Sequence, residues 1–124
     1  MANTLLSKTY NGGANYANTA NTATVYTTPA NTTSILIGFT ISNLTTSVIS
    51  TDVQVYDDDA AQTVYFLKGV VLDTGSTLEI MGGNKIILNS NDSILMKSDT
   101  VNSFDVVLSL VEQTWAKLSI LPQI

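Results

Sequence analysis

The chain has 124 residues, of which 44% are hydrophobic and 12% charged, and its formal net charge is −5. This length fits a single domain that can bury an apolar core of its own. Because the sequence contains no cysteine, histidine or arginine, disulfides, zinc–thiolate sites and thiol catalysis are excluded, and five lysines offer no cluster for nucleic-acid binding.

The N-terminal third has a biased composition. Residues 11–33 are rich in Asn, Thr and Ala, and their large side chains are Tyr16, Val25 and Tyr26. We predict an N-terminal arm over residues 1–33 with one or two short strands, and two interpretations stay open. The arm is either flexible and loosely draped, or it becomes ordered against a neighbouring subunit. The N-terminus lacks the pattern of a secretory signal, and no apolar run reaches 18 residues, so we expect neither export nor a membrane span.

From residue 34 onward, apolar residues recur with a period of two, which is typical of β-strands. The expected apolar faces are Ile35, Ile37, Phe39 and Ile41; Ile49, Thr51, Val53 and Val55; Val64, Phe66 and Val70; Leu78 and Ile80; Ile86 and Leu88; Ile94 and Met96; Phe104, Val106, Leu108 and Leu110; and Leu118 and Ile120. Turn residues separate these segments at 43–47, 57–60, 73–76, 82–84, 89–92 and 99–102.

Short strands with turns about every ten residues predict an all-β fold, an antiparallel β-sandwich of jelly-roll or immunoglobulin-like type with an extended N-terminal arm. We expect the sandwich and a C-terminal tail over residues 34–124. The segment Tyr65–Val71 is apolar on both faces, so it needs cover on both sides. The sandwich core can cover one side, and the N-terminal arm, the C-terminal tail at 118–124 or a second subunit could cover the other.

One motif resembles a catalytic site. Asp73-Thr-Gly-Ser76 follows an apolar strand, as the catalytic aspartate does in retropepsin-like aspartic proteases, in which two carboxylates share a proton. The motif lies past the midpoint of the chain, whereas small dimeric proteases carry it near the N-terminus. The second apolar strand and helix of such enzymes are also missing downstream, so we interpret the motif as a turn and expect no enzyme activity and no catalytic residues.

Other candidate sites have structural explanations. Three consecutive aspartates, Asp57–Asp59, lack the ligand spacing of a calcium loop, and we expect no metal and no cofactor. The sequons that begin at Asn31, Asn43 and Asn91 are interpreted as turn residues. Exposed tyrosines at 10, 16, 26 and 56 could line a sugar-binding surface, although tyrosines beside strands more often pack.

The order of several motifs is similar to that in small virion structural proteins of tailed bacteriophages, especially phages of cyanobacteria and other aquatic bacteria. The matching segments are 1–4 (Met-Ala-Asn-Thr), 25–30 (Val-Tyr-Thr-Thr-Pro-Ala), 35–46, 65–68 (Tyr-Phe-Leu-Lys), 75–79 (Gly-Ser-Thr-Leu-Glu) and 82–86 (Gly-Gly-Asn-Lys-Ile). The resemblance covers most of residues 1–111 and implies a β-sandwich subunit displayed on a particle. The longer N-terminal tract and the extension 112–124 depart from it.

These expectations lead to a structural virion protein, assembled in the host cytoplasm and most specifically a capsid decoration or cement protein that bridges capsid subunits. Its partners would be the major capsid protein and other copies of itself, with a trimer favoured by local capsid symmetry. We expect no nucleic-acid or membrane partner. The alternative is a neck, tail or fibre accessory module that binds host surface glycan, and the third is the aspartic protease. The expected interface residues are Leu5, Leu6, Tyr10, Trp115, Leu118, Ile120, Leu121 and Ile124, because large apolar side chains at termini commonly anchor contacts. The alternative is that these side chains pack back onto their own sandwich.

Overall fold

A computed structural model describes residues 2–11 and 22–115. These residues form the strands β1 (Ala2–Asn11), β2 (Ala23–Thr27), β3 (Thr32–Asn43), β4 (Ile49–Asp57), β5 (Gln62–Leu72), β6 (Thr77–Glu79), β7 (Ile86–Leu88), β8 (Ser93–Ser98) and β9 (Phe104–Thr114). No helix in these two ranges is long and apolar enough to cross a membrane.

The strands form two antiparallel sheets. One has the order β1-β9-β3-β6, with β7 pairing β3 beside β6, and the other has the order β2-β8-β4-β5. The predicted all-β sandwich class is therefore confirmed. The turns predicted between residues 43 and 102 all lie between consecutive strands.

The core lies between the two sheets. Its largest buried side chains come from β3 and β9 on one side and from β4 and β8 on the other, and they include Leu36, Phe39, Val53, Met96, Phe104, Leu108 and Leu110. The inner faces predicted for β4, β8 and β9 by simple alternation agree with this burial. A polar contact also joins the two sheets: Tyr26 of one sheet donates a hydrogen bond to Glu112 Oε2 of the other at 2.5 Å.

Strand β3 corrects one prediction. Alternation placed Ile35 and Ile37 on the same face as Phe39, but Leu36 is fully buried while Ile37 is 39% exposed. The register between β3 and β9 shifts between Leu36 and Gly38, so one extra residue of β3 exchanges the two faces of the strand. Ile35 consequently lies on the outer face, half-buried.

Strand β5 corrects a second prediction, in which Val64, Phe66 and Val70 shared one face. The pairing with β4 shifts twice, between Thr51 and Val53 and between Val53 and Gln54. As a result Leu67, opposite the buried Val53, packs against the core together with Val70. Period-two alternation fails in this strand because each bulge adds a residue that has no partner.

The region predicted as an arm contains two strands. β1 pairs β9 antiparallel over ten residues, from Ala2 opposite Thr114 to Asn11 opposite Asp105, and β2 pairs β8 in the other sheet. The predicted strand at Leu118 and Ile120 lies outside the described residues.

Candidate interaction surface

The structure places four of the eight expected interface residues. Leu5 is 74% exposed, and Trp115, just past the end of β9, is also exposed. Leu6 and Tyr10 pack partly against the core, and the Tyr10 ring stacks on Phe104 with centroids 6.0 Å apart. Leu118, Ile120, Leu121 and Ile124 lie outside the part of the chain that the structure describes.

The outer face of the five-stranded sheet carries a row of four apolar side chains, one from each of four strands. Leu5 of β1 lies opposite Val111 of β9, Val111 lies opposite Ile35 of β3, and Ile35 lies opposite Ile87 of β7. Leu5 is 74% and Ile87 64% exposed, while Val111 and Ile35 between them are half-buried. We call Leu5, Val111, Ile35 and Ile87 the apolar band.

Polar and small residues border the apolar band on both sides. The row toward the start of β1 contains Asn3, Gln113 and Thr33, and the row on the other side contains Ser7, Ser109 and Gly38. An apolar strip with polar margins is the pattern of a protein contact surface. The sequence predicted only Leu5 of these four as an interface residue, because no local pattern distinguishes the other three from other strand residues. The cross-strand register alone places them side by side.

The other sheet exposes apolar side chains along its edge strand β5. Tyr65 and Val71 lie opposite Gln54 and Ser50, on the outer face, and Lys68 Nζ lies 4.6 Å from the centre of the Tyr65 ring. Tyr65, Phe66 and Val71 are all exposed. Cover was expected on both sides of this segment. Within the described ranges the core covers its inner side, and its outer side is exposed.

The Asp73-Thr-Gly-Ser76 motif forms the turn between β5 and β6. Ser76 donates from its backbone N and from Oγ to Asp73 O, at 3.1 and 2.8 Å. Gly75 has φ 63°, a left-handed conformation that glycine adopts without strain. The Asp73 side chain is exposed on this turn, so the geometry agrees with the turn interpretation.

Two of the three aspartates at the β4–β5 hairpin make hydrogen bonds within the chain. Ala60 N donates to Asp57 Oδ1 at 3.3 Å, and Asp58 N donates to Asp92 Oδ1 at 2.9 Å. Asp92 is buried and also accepts from Asn89 N at 2.9 Å, so it connects this hairpin tip to the β7–β8 turn. No group of three or more metal-ligating side chains occurs in residues 2–11 and 22–115.

The tyrosines do not form the surface patch that the sequence suggested. Tyr26, predicted to be exposed, is only 6% exposed, and its hydroxyl contacts Ser34 Oγ at 2.6 Å and Glu112. Burial and the hydrogen bond to Glu112 raise the pKa of Tyr26 to about 12. Tyr10 is half-buried against Phe104, and Tyr16 lies outside the described residues. The sugar-binding interpretation loses its main residues.

Two shallow pockets on the described surface are small. One, lined by Ser50, Asp52, Lys97, Ser98 and Asp99, has a volume of about 170 Å³, and the other, at the end of β1 and β9, about 260 Å³. Pockets for small molecules usually hold roughly 300–1,000 Å³. The apolar band is therefore a stronger candidate for binding than either pocket.

No protein-family model matches the sequence, and comparison with curated proteins gives no match. Two solved structures are similar in fold. One is a chain of the Bacillus endospore appendages, described as a family of disulfide-linked pili, with 10% identity and a TM-score of 0.53 over 93% of this chain and 88% of that one. The other is from the acid-stable capsid of the Helicobacter pylori bacteriophage KHP30, with 14% identity and a TM-score of 0.47 over 93% and 95%. The first likeness agrees with the β-sandwich fold, and the resemblance to aquatic tailed phages stays a prediction.

Proposed function

We propose that the chain is a structural subunit of a multi-subunit particle, and more specifically a capsid decoration protein that bridges neighbouring capsid subunits. The apolar band carries this proposal. Two of its members are more than half exposed on a strand surface, which costs free energy in water and is relieved when a partner covers them.

The chemistry of the described residues supports a binding role. Asp73 lies on an exposed turn, the Asp57 carboxylate at the hairpin tip accepts a backbone hydrogen bond, and the two described pockets are small. The fold is similar to that of a chain from the Bacillus endospore appendages, which are described as pili. That pilus is described as disulfide-linked, whereas this chain has no cysteine and would need non-covalent contacts.

The glycan-binding alternative depended on exposed tyrosines. Tyr26 is buried between the sheets and Tyr10 is stacked on Phe104, so two of the four tyrosines pack within the sandwich. The apolar band does not suit a sugar, because it offers few hydrogen-bonding groups.

Quantitative mass spectrometry of particles purified from the source of this chain, with heads separated from tails, tests the proposal. We expect a copy number comparable to that of the major shell protein, confined to the head fraction. A few copies in the tail or neck fraction would overturn the decoration role in favour of a tail accessory. Complete absence from particles would overturn the structural role itself.

Binding of purified variants to particles that lack the protein tests whether the apolar band is the contact surface. Particles lacking the protein are incubated with purified Ile87→Ser, and with Val71→Ser as a matched control on the other sheet. We expect Ile87→Ser to lose binding by about tenfold or more, and Val71→Ser to bind like the wild-type protein. Equal binding of both would overturn the assignment to the band.

A further inference from the structure

Among the strands in residues 2–11 and 22–115, the four sheet edges differ in how open they are to another strand. β6 and β7 have three residues each, and β2 has five with a register shift between Thr24 and Tyr26. β5 is long, but it carries two register shifts, Lys68, and Gly69 with φ 65°. Short length, bulges and lysines are the features with which proteins block edge pairing.

Strand β1 has one of these features, a single lysine, and lacks the others. It has ten residues paired with β9 without a register shift, and it contains no proline and one charged residue, Lys8. A long, regular edge of this kind presents a row of backbone donors and acceptors to another strand. In the folded sheet, β1 is the edge that another strand could extend most readily.

The hydrogen bonds around β9 show which backbone groups of β1 face outward. Trp115 N donates to Asn31 O at 3.2 Å, and Leu44 N to Ser103 O at 2.9 Å, so the odd-numbered residues of β9 direct their backbone toward β3. Its even-numbered residues therefore face β1, where they pair with Ala2, Thr4, Leu6 and the other even positions. The backbone groups of Asn3, Leu5, Ser7 and Thr9 must point away from β9.

We propose that a second copy of this chain pairs antiparallel with β1 along this edge, forming a two-fold dimer with one continuous sheet. The backbone groups that point away from β9 all belong to odd-numbered residues, so each odd-numbered residue of one copy pairs with an odd-numbered residue of the other. The two side chains of such a pair lie on the same face of the sheet. Two registers of this kind overlap over nine residues of β1, and we propose the one that puts the Leu6 residues of the two copies opposite each other. Asn3 then pairs with Thr9, and Leu5 with Ser7, giving about eight hydrogen bonds.

Charge and apolar surface both suit a second copy. In this register Lys8 lies opposite Thr4 of the partner subunit. Glu112 of the partner subunit lies one strand further along the same cross-strand row, so a weak, long-range attraction joins the two charges. The Leu5 residues become diagonal neighbours, roughly 7–8 Å apart. The apolar bands of the two copies therefore meet at the Leu5 residues, offset by one cross-strand row.

Light scattering and sedimentation of the purified full-length chain, at about 10–100 µM, test the pairing. We expect a mass of two subunits. Ser7→Pro removes an outward amide and should weaken the dimer by about tenfold or more, because proline cannot donate. Ser7→Ala keeps the amide and should remain dimeric. A monomeric or trimeric wild-type protein, or a Ser7→Pro protein as dimeric as Ser7→Ala, would overturn the proposal.

Cysteine cross-linking tests the register without depending on how well Ser7→Pro folds. The chain has no cysteine of its own, so a mixture of Thr4→Cys and Lys8→Cys proteins should oxidise to a disulfide-linked heterodimer. A mixture of Thr4→Cys and Thr9→Cys should stay unlinked, because these positions lie on opposite faces. Equal cross-linking of the two mixtures would overturn this register. Both measurements use the isolated protein, so their outcome is independent of its presence in particles.

Discussion

Glu79 shows how one side chain can complete a sheet that two short strands leave incomplete. β6 pairs with residues 40–42 of β3 and β7 with residues 34–36, so the Phe39 amide has no strand partner between them. Glu79 Oε2 accepts from Phe39 N at 2.7 Å, and Oε1 accepts from Met81 N at 2.8 Å. These backbone donors, with that of Phe39 first, lower the pKa of Glu79 from its usual value of 4.5.

A pH dependence follows from Glu79. Its pKa is lower in the folded than in the unfolded chain, so its stabilising effect is present above about pH 4.5 and is lost as pH falls through the folded pKa. We expect Glu79→Gln to reduce the free energy of unfolding at pH 7, and the difference from the wild-type protein to shrink by pH 3. Urea unfolding at both pH values measures this. Asp59→Asn, on the exposed hairpin tip, is the control, and an equal loss for Glu79→Gln at both pH values would contradict the prediction.

Asn43 shows a buried polar residue whose partners sequence could not supply. Its Nδ2 donates to Ser47 O at 2.8 Å and to Asp73 O at 3.0 Å, while its Oδ1 accepts from Thr45 N at 2.8 Å. The sequence placed Asn43 at the start of a turn, and in the structure it is the last residue of β3. The bond to Asp73, thirty residues away, exists only because the ends of β3 and β5 meet at the same end of the sandwich.

Among the strands, β3 and β5 depart most from simple alternation. A bulge exchanges the inner and outer faces of the strand without changing its composition, so hydrophobic periodicity cannot locate it. In β3 the exchange leaves Leu36 inside and moves Ile35 to the outer face, where it joins the apolar band. The candidate surface therefore exists because of this irregularity.

A matched pair of substitutions tests the bulge in β3. We expect Leu36→Ala to destabilise the protein by about 2–5 kcal/mol, because it leaves a cavity in a fully buried position. Ile37→Ala should cost about 1 kcal/mol or less, since Ile37 is 39% exposed. Denaturant unfolding of both variants measures the difference. The reverse ranking would show that Ile37 faces the core, as plain alternation predicts.

In the whole molecule, the two ends of the described chain are joined in one sheet. β1 and β9 are paired along their full common length although almost the entire chain separates them. Non-local pairing of this kind makes the N-terminal strand part of the sandwich rather than a separate attachment. β1 is also the strand on which the apolar band begins and through which we propose that the molecule self-associates.

Removal of residues 1–11 tests this role of β1. We expect a clearly lower Tm and aggregation, because β9 loses its partner along ten residues and becomes an exposed edge. For a domain of this size, each kcal/mol of lost stability lowers Tm by about 4 °C. Thermal unfolding by circular dichroism is the measurement. An unchanged Tm would instead support the loosely draped arm predicted from composition.

The sequence alone determined the fold class, the turns and most inner faces, because period-two alternation and Gly, Asn and Asp clusters are local signals that each strand carries in itself. It also determined what chemistry is absent from the side chains, since a chain without cysteine and histidine cannot build thiol or imidazole sites. Tertiary structure decided the sheet order, the bulges and the cross-strand register, which depend on residues distant in sequence. The apolar band and the open edge of β1 arise from those three, so no local pattern in the chain could reveal them.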